Sequence, residues 1–154
     1  MLVANDPGAD AWLPDVPRIA DLEPGRGPLG GIHAALVQAR TPVLVVAWDM
    51  PFVTASLLTL LRRRGSSRRS AVVPESAVGQ LEPTCALYAP ICEPAIARWL
   101  DSGRGGAAAF LDQLGDIDRV PVAEIERVGD PSRLFFSINS PAALEHAEAL
   151  AASY

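Results

Sequence analysis

Hydrophobic residues along the chain fall into short uninterrupted runs that alternate with amphipathic stretches. "PVLVVA" (42–47) is such a run, bounded by breakers, and reads as a strand covered on both faces, the kind found in parallel sheets packed between helices. "MLVAN" (1–5) has the pattern of a strand end that meets solvent at the turn-rich "NDPGAD", and "VPRIAD" (16–21) and "SAVVPE" (70–75) are further short strands. "PTCALYA" (83–89) alternates enough to be an antiparallel neighbour at the sheet edge, while "RVPVAEIE" (119–126) and "RLFFSIN" (133–139) complete the strand candidates. Helical spacing appears in "GIHAALVQAR" (31–40), where Ile32, Ala35, Leu36 and Ala39 share a face. It recurs in "TASLLTLLRRR" (54–64), with Thr54 as N-cap and arginines at the carboxyl end. "PAIARWLDSG" (94–103) and "GAAAFLDQLG" (106–115) each end on glycine, and in "SPAALEHAEALAAS" (140–153) Ser140 caps and Pro141 opens a last helix. Strands alternating with helices predict an α/β three-layer sandwich with a mainly parallel, Rossmann-like sheet.

Composition narrows this picture. With 154 residues, 49% of them hydrophobic, the chain suffices for one domain (1–154) with a real core. Its net charge is −5 and all 13 basic residues are arginine, so charge gives no reason to expect nucleic acid or an anionic membrane as partner. Cys85 and Cys92 lack the number and spacing of a disulfide framework or zinc site and read as small buried hydrophobes. There is no run of about 18 apolar residues and no basic leader, from which we expect a cytoplasmic protein.

Three features could carry chemistry. "GRGPLGG" (25–31) leads into a helix; glycines allow close approach of a ligand, and free N–H groups at a helix start attract anions. It matches neither a Walker loop nor the usual dinucleotide register, so a tight connection is the alternative. Asp21 and Asp49 each stand where a strand ends, the edge at which open α/β sheets bind ligands, and such oxygens suit Mg²⁺. For Asp49 a turn or N-cap role before the next helix is the competing reading. In "SINSPAAL", Asn139 leaves a strand candidate and Ser140 starts a helix.

The succession "VAND", "IADLEPGRGPLGGIHAAL", "PVLVVAWDMPFV", "LEPTCALY" and "FFSINSPAALEHA" resembles the molybdenum cofactor guanylyltransferase family (molybdopterin-guanine dinucleotide biosynthesis protein A), in order and over nearly the whole chain. "GPLGGI" and "DMPF" are its most specific pieces. The resemblance implies transfer of GMP from GTP to molybdenum-bearing molybdopterin with Mg²⁺. It implies that Asn5, Asp21 and Asp49 contact the nucleotide, that Asp49 also holds the metal in a catalytic role, and that Gly27, Pro28, Leu29, Gly30, Gly31 and Asn139 line the pterin side. A molybdenum-insertion protein or a molybdoenzyme would be the protein partner.

The sequence also departs from the family, whose members open with Leu-Ala-Gly-Gly, then Ser, Arg-Met-Gly and Asp-Lys. None of these is present, and the chain has no lysine. By resemblance residues 1–5 match the family's second strand, which predicts a sheet without its middle strand here: a start at an internal methionine, a shortened chain, or a shortened homologue without activity. Ser137 stands where asparagine is frequent in the family. A non-catalytic remnant binding pterin or a protein, and a cytidylyl or sugar-phosphate nucleotidyltransferase, are the competing functions. We read His33 as a surface or cap-region residue and His146 as a solvated neighbour of Glu145 and Glu148. The arginines of 62–69 read as a solvated helix end, with docking of an acidic partner as the alternative. Trp48 either flanks a ring in the cleft or packs beneath it.

Overall fold

The computed structural model describes residues 1–65 and 69–152. In chain order the elements are β1 (Leu2–Val3), a 3-10 turn (Pro7–Ala11), β2 (Arg18–Ile19), α1 (Gly27–Ala39), β3 (Val43–Val46) and α2 (Ala55–Arg64). Then come β4 (Ala71–Ala77), β5 (Gln80–Leu81), β6 (Cys85–Tyr88), a 3-10 turn (Pro90–Cys92), α3 (Glu93–Asp101) and α4 (Ala107–Leu114). β7 (Ile117–Val120), α5 (Val122–Ile125), α6 (Pro131–Leu134) and α7 (Pro141–Ala152) finish the chain.

The central sheet runs β3-β6-β4, with β7 on the far side of β4 and β5 paired to the outer half of β4. β4 and β7 are parallel, from Ala71 opposite Ile117 to Pro74 opposite Val120. Because β6 is antiparallel to both β3 and β4, those two strands and β7 all point the same way. Side-chain alternation divides the core into two layers. Ala71, Val73, Ala86 and Tyr88 face α1, α3 and α4, meeting Leu29, Ile32, Leu36, Ile96, Phe110 and Leu111. Val72, Cys85, Leu87 and Val120 face the other way, onto Leu57, Leu61, Ile125 and Leu134 of α2, α5 and α6. This is the expected α/β/α sandwich.

β1 and β2 form a separate parallel pair, Leu2 opposite Arg18 and Val3 opposite Ile19. Among the described residues no ladder joins them to β3, although α1 packs on both β1 and β3. The approach is close: a β-carbon on Gly31 would lie 3.6 Å from Val3 Cγ1.

Several boundaries differ from the sequence reading. β6 is an inner strand flanked by β3 and β4, not an edge, which accounts for the complete burial of all four of its residues. Residues 133–139 form no strand: Pro131 opens α6 and the Asp130 carboxylate accepts the Ser132 N–H at 2.9 Å, so the chain turns helically before any ladder can form. Within 119–126 the strand stops at Val120, because Pro121 has no N–H to donate and instead precedes α5. α1 starts at Gly27 rather than Gly31, since Pro28 is preorganised for a first helical turn. Thr54 caps α2 through the Leu57 N–H, and Ser140 Oγ accepts the Ala143 N–H at 3.1 Å, both as the sequence suggested.

Candidate functional site

β3 delivers its chain into a turn, Ala47–Met50, closed by the Met50 N–H donating to the Ala47 carbonyl at 3.2 Å. Asp49 sits in that turn. It does not cap α2, which Thr54 does, so the N-cap alternative fails. The Ser137 hydroxyl donates to Asp49 Oδ2. The Ile138 N–H donates to the Asp49 carbonyl at 2.9 Å, tying the segment before α7 to the end of β3. No described residue donates to Asp49 Oδ1, and the side chain is only half-buried. Among the described residues no three His, Cys, Asp or Glu side chains converge as a ready-made metal cage. A lone carboxylate with a free oxygen fits a hard divalent cation that keeps waters and takes substrate oxygens, and does not fit a site built wholly from protein.

A second cluster forms at the ends of β1 and β2. Asn5 Nδ2 donates to Asp21 Oδ2 at 2.9 Å, and the Asp21 N–H donates to Asn5 Oδ1 at 2.9 Å. This reciprocal pair holds the Asp21 carboxylate over the first turns of α1, where β-carbons on Gly30 and Gly31 would each lie 3.6 Å from a carboxylate oxygen. A carboxylate above a helix start is favourably placed in the helix dipole. Leu29, Gly30 and Ile32 are buried, so Leu29 reaches the core and offers a ligand only its backbone.

Asn5, Asp21, Gly30 and Gly31 therefore come together, as do Asp49, Ser137 and Ile138. Asn139, the next residue, is exposed. No hydrogen bond joins the two clusters among the described residues, but one ring contact spans them. Trp12, beyond β1, stacks on Trp48, beside Asp49, with centroids 5.9 Å apart and planes 20° apart. Trp48 is 86% exposed, which rules out packing beneath a cleft.

Sequence reasoning missed one acid. Glu82 enters β6 from a turn whose Thr84 carbonyl accepts the Ala47 N–H at 2.8 Å, which brings that turn against the end of β3. Burial holds its carboxyl above the usual carboxylate range. A Glu-Pro step at a strand end was the available signal. Of the histidines, His146 is exposed as expected and His33 differs from expectation. His33 is not a surface residue but bridges α1 to α3, its Nε2 2.9 Å from Glu93 Oε1, and exposed His146 stacks on Phe136 with centroids 5.3 Å apart. Arg64 is bound to Asp118 and Glu124, and Arg69 to Asp116 at 2.6 Å, so neither is a spare docking charge; residues 66–68 of the arginine-rich stretch lie outside the described residues. Burial pushes the Cys85 thiol up to about 12 and the Cys92 thiol up to about 11, which suits packing rather than nucleophilic work. No helix among the described residues is long and apolar enough to cross a membrane.

The family model described as a MobA-like NTP transferase domain matches residues 1–119. The chain belongs to this family. It is 33% identical over 147 residues to a probable molybdenum cofactor guanylyltransferase of Chloroflexus aggregans, covering 92% of this chain and 68% of the relative. It is 35% identical over 157 residues to the molybdenum cofactor guanylyltransferase of Desulfosudis oleivorans, covering 97% and 73%. Among solved structures it superimposes on molybdopterin-guanine dinucleotide biosynthesis protein A from Archaeoglobus fulgidus with a TM-score of 0.85, 28% identity, and coverage of 99% and 78%. The β3–β6–β4–β7 sheet between two helical layers is thus a MobA-like nucleotidyltransferase fold, and Asp49 and the Asn5–Asp21 pair sit at strand ends within it.

Proposed function

We propose that this MobA-like protein transfers GMP from GTP to molybdopterin carrying molybdenum, yielding molybdopterin guanine dinucleotide and pyrophosphate, with Mg²⁺ as the cation. The observation that supports this most is Asp49, a carboxylate at the end of β3 oriented by Ser137 with Oδ1 free, in a chain about one third identical to guanylyltransferases. A terminal phosphate oxygen of the pterin forms a bond to the α-phosphorus of GTP. The bond from that phosphorus to the bridging oxygen breaks, and its electron pair leaves with pyrophosphate. Transfers of this kind rest on positioning and charge neutralisation rather than covalent help from side chains.

Mg²⁺, when bound, offsets charge on the triphosphate and on the leaving group. Asp49 would hold it through its carboxylate. Asn5 and Asp21, locked to each other, present a fixed polar edge to the guanine. Gly27, Pro28, Gly30 and Gly31, the Leu29 backbone and Asn139 form the pterin side. We place the reaction in the cytoplasm and assign a molybdenum-insertion protein or a molybdoenzyme as the recipient of the product.

Thermal denaturation with Mg²⁺ and GTP, with Mg²⁺ and CTP, and in Asp49→Ala tests this reading. A ligand at about 100 times its dissociation constant adds roughly 2.7 kcal/mol, which for a chain of this size raises Tm by about 5–10 °C. GTP should produce that shift only with Mg²⁺ and only with Asp49 intact, and CTP should not. Equal shifts with GTP and CTP, or an unaltered shift in Asp49→Ala, would overturn it.

A further inference from the structure

We infer that Trp12 and Trp48 form a stacking platform for the fused 2-amino-4-oxopyrimidine ring of a substrate, the ring chemistry that guanine and a pterin share; the inference rests on the guanylyltransferase reading above. Two large apolar side chains stand in water here, Trp48 86% and Trp12 50% exposed. Covering large aromatic surfaces on folding is strongly favourable, so an exposed pair is the exception that needs a reason. The two rings are nearly parallel, at 20° and 5.9 Å between centroids, an offset contact. At 86% exposure almost all of the Trp48 indole remains open to solvent.

Position gives the pair its ligand. Trp48 is the residue before Asp49, in the same turn after β3. Trp12 hangs from the β1–β2 unit that also carries Asn5 and Asp21. The stack is a contact between the segment that carries Asn5 and Asp21 and the turn that carries Asp49. Neither indole N–H donates to a described residue, whereas the third tryptophan, Trp99, donates its own to the Gly105 carbonyl at 2.8 Å. An indole N–H lies in the plane of its ring, so these donors can serve an acceptor at the ring's edge and leave the π-face to stacking. Stacking on an indole tolerates any flat ring, and a bicyclic ring covers more of it than a pyrimidine does.

The test is calorimetric titration of the wild-type chain, Trp48→Ala and Trp48→Phe with GTP, with a free pterin and with CTP, all in Mg²⁺. Loss of the indole should weaken binding of the bicyclic ligand about tenfold, and phenylalanine should restore most of it. Which of GTP or pterin loses affinity identifies the ring that the platform takes. Trp48 is exposed, so folding of the variants should match wild type, and their Tm values provide the control. If wild type binds GTP and Trp48→Ala binds both bicyclic ligands as tightly, the platform falls and the guanylyltransferase reading stands. If wild type binds neither GTP nor pterin, both fall.

Discussion

Replacing Arg64 with methionine removes a guanidinium that joins three elements while keeping an apolar stem that α2 accommodates. Arg64 Nε and Nη2 donate to the two oxygens of Asp118, at 2.9 and 2.7 Å, and Nη1 donates to Glu124 Oε2. The last turn of α2 is thereby fastened to β7 and α5, the elements whose Val120 and Ile125 share a core layer with Leu61. The side chains of Arg64, Asp118 and Glu124 are 30%, 20% and 28% exposed, between the two limits for which magnitudes are known. Breaking a fully buried pair by removing one partner costs about 3–5 kcal/mol, and an exposed pair is worth about 0–1 kcal/mol. Two carboxylates are left beside each other, so we expect a loss of about 2–3 kcal/mol. For a domain of this size that lowers Tm by about 4–12 °C. Urea denaturation with an unchanged m-value would measure it. Adding Asp118→Asn to Arg64→Met removes one of the stranded charges and should recover about 1 kcal/mol or more, a coupling read from the double-mutant cycle. A loss below about 1 kcal/mol in Arg64→Met, with additive behaviour in the double variant, would refute the view that this fork fastens α2 to the sheet.

Ser137→Ala should lower stability by only about 1 kcal/mol but weaken the Mg²⁺-dependent GTP shift several-fold, because the hydroxyl orients Asp49; a Mg²⁺ titration indistinguishable from wild type would sink that role. Glu82 carries a pH signature: its folded-state carboxyl is raised by burial, so its contribution favours the fold below the unfolded value of about 4.3 and is lost as pH rises through the folded value. Glu82→Gln should accordingly be more stable than wild type at pH 7 and no more stable at pH 3, and parallel stability–pH curves for the two would contradict the burial argument. Cys85 and Cys92, buried and with thiols raised to about 12 and about 11, should resist a thiol reagent at pH 8 in the folded protein and react together when urea unfolds it; rapid labelling of either in the native state would count against the packing shown.

The layers were legible because a strand buried on both faces, as Ala71–Val73 is, leaves a plain mark; Val43–Val46 carries the same mark but is half-buried with Val46 exposed, since among the described residues β3 pairs only with β6. Val43–Val46 and Ala71–Val73 are continuous apolar runs, and helical spacing in 54–64, 94–103 and 140–153 matches α2, α3 and α7 closely. What misled was the apolar run around Leu134 and Phe135. Both are buried, as strand residues would be, but from a helical turn and the stretch after it that Asp130 and Pro131 initiate three to four residues upstream. A short apolar run cannot by itself tell a strand from a buried turn of helix, and local capping decided here. The position of β6 inside the sheet was equally hidden, since alternation in "TCALY" records a pleat and not the number of neighbours.

The site was legible only where a side chain's role follows from its place in the chain. Asp21 and Asp49 could be singled out because each follows a strand candidate, and the structure puts Asp21 two residues beyond β2 and Asp49 in the turn after β3. Their partners could not be found that way: Asn5 lies 16 residues from Asp21 and Ser137 lies 88 residues from Asp49, and no local pattern links such pairs. The same holds for Trp12 and Trp48, which become informative only when folding sets one ring on the other. Asn5, Ser137 and Trp48 could be named from the sequence, but that Asn5 pairs with Asp21, Ser137 with Asp49 and Trp12 with Trp48 comes from the fold. This separation has a consequence for experiment. Asp49→Ala removes the group thought to meet the cation, whereas Ser137→Ala and Trp48→Ala leave it in place. If the proposed arrangement holds, the first should abolish the Mg²⁺-dependent part of GTP binding, the second should weaken it, and the third should reduce ring affinity at every Mg²⁺ concentration. Three variants that instead lose binding in the same proportion at all Mg²⁺ concentrations would mean that the carboxylate and the indoles do not serve separate parts of one nucleotide.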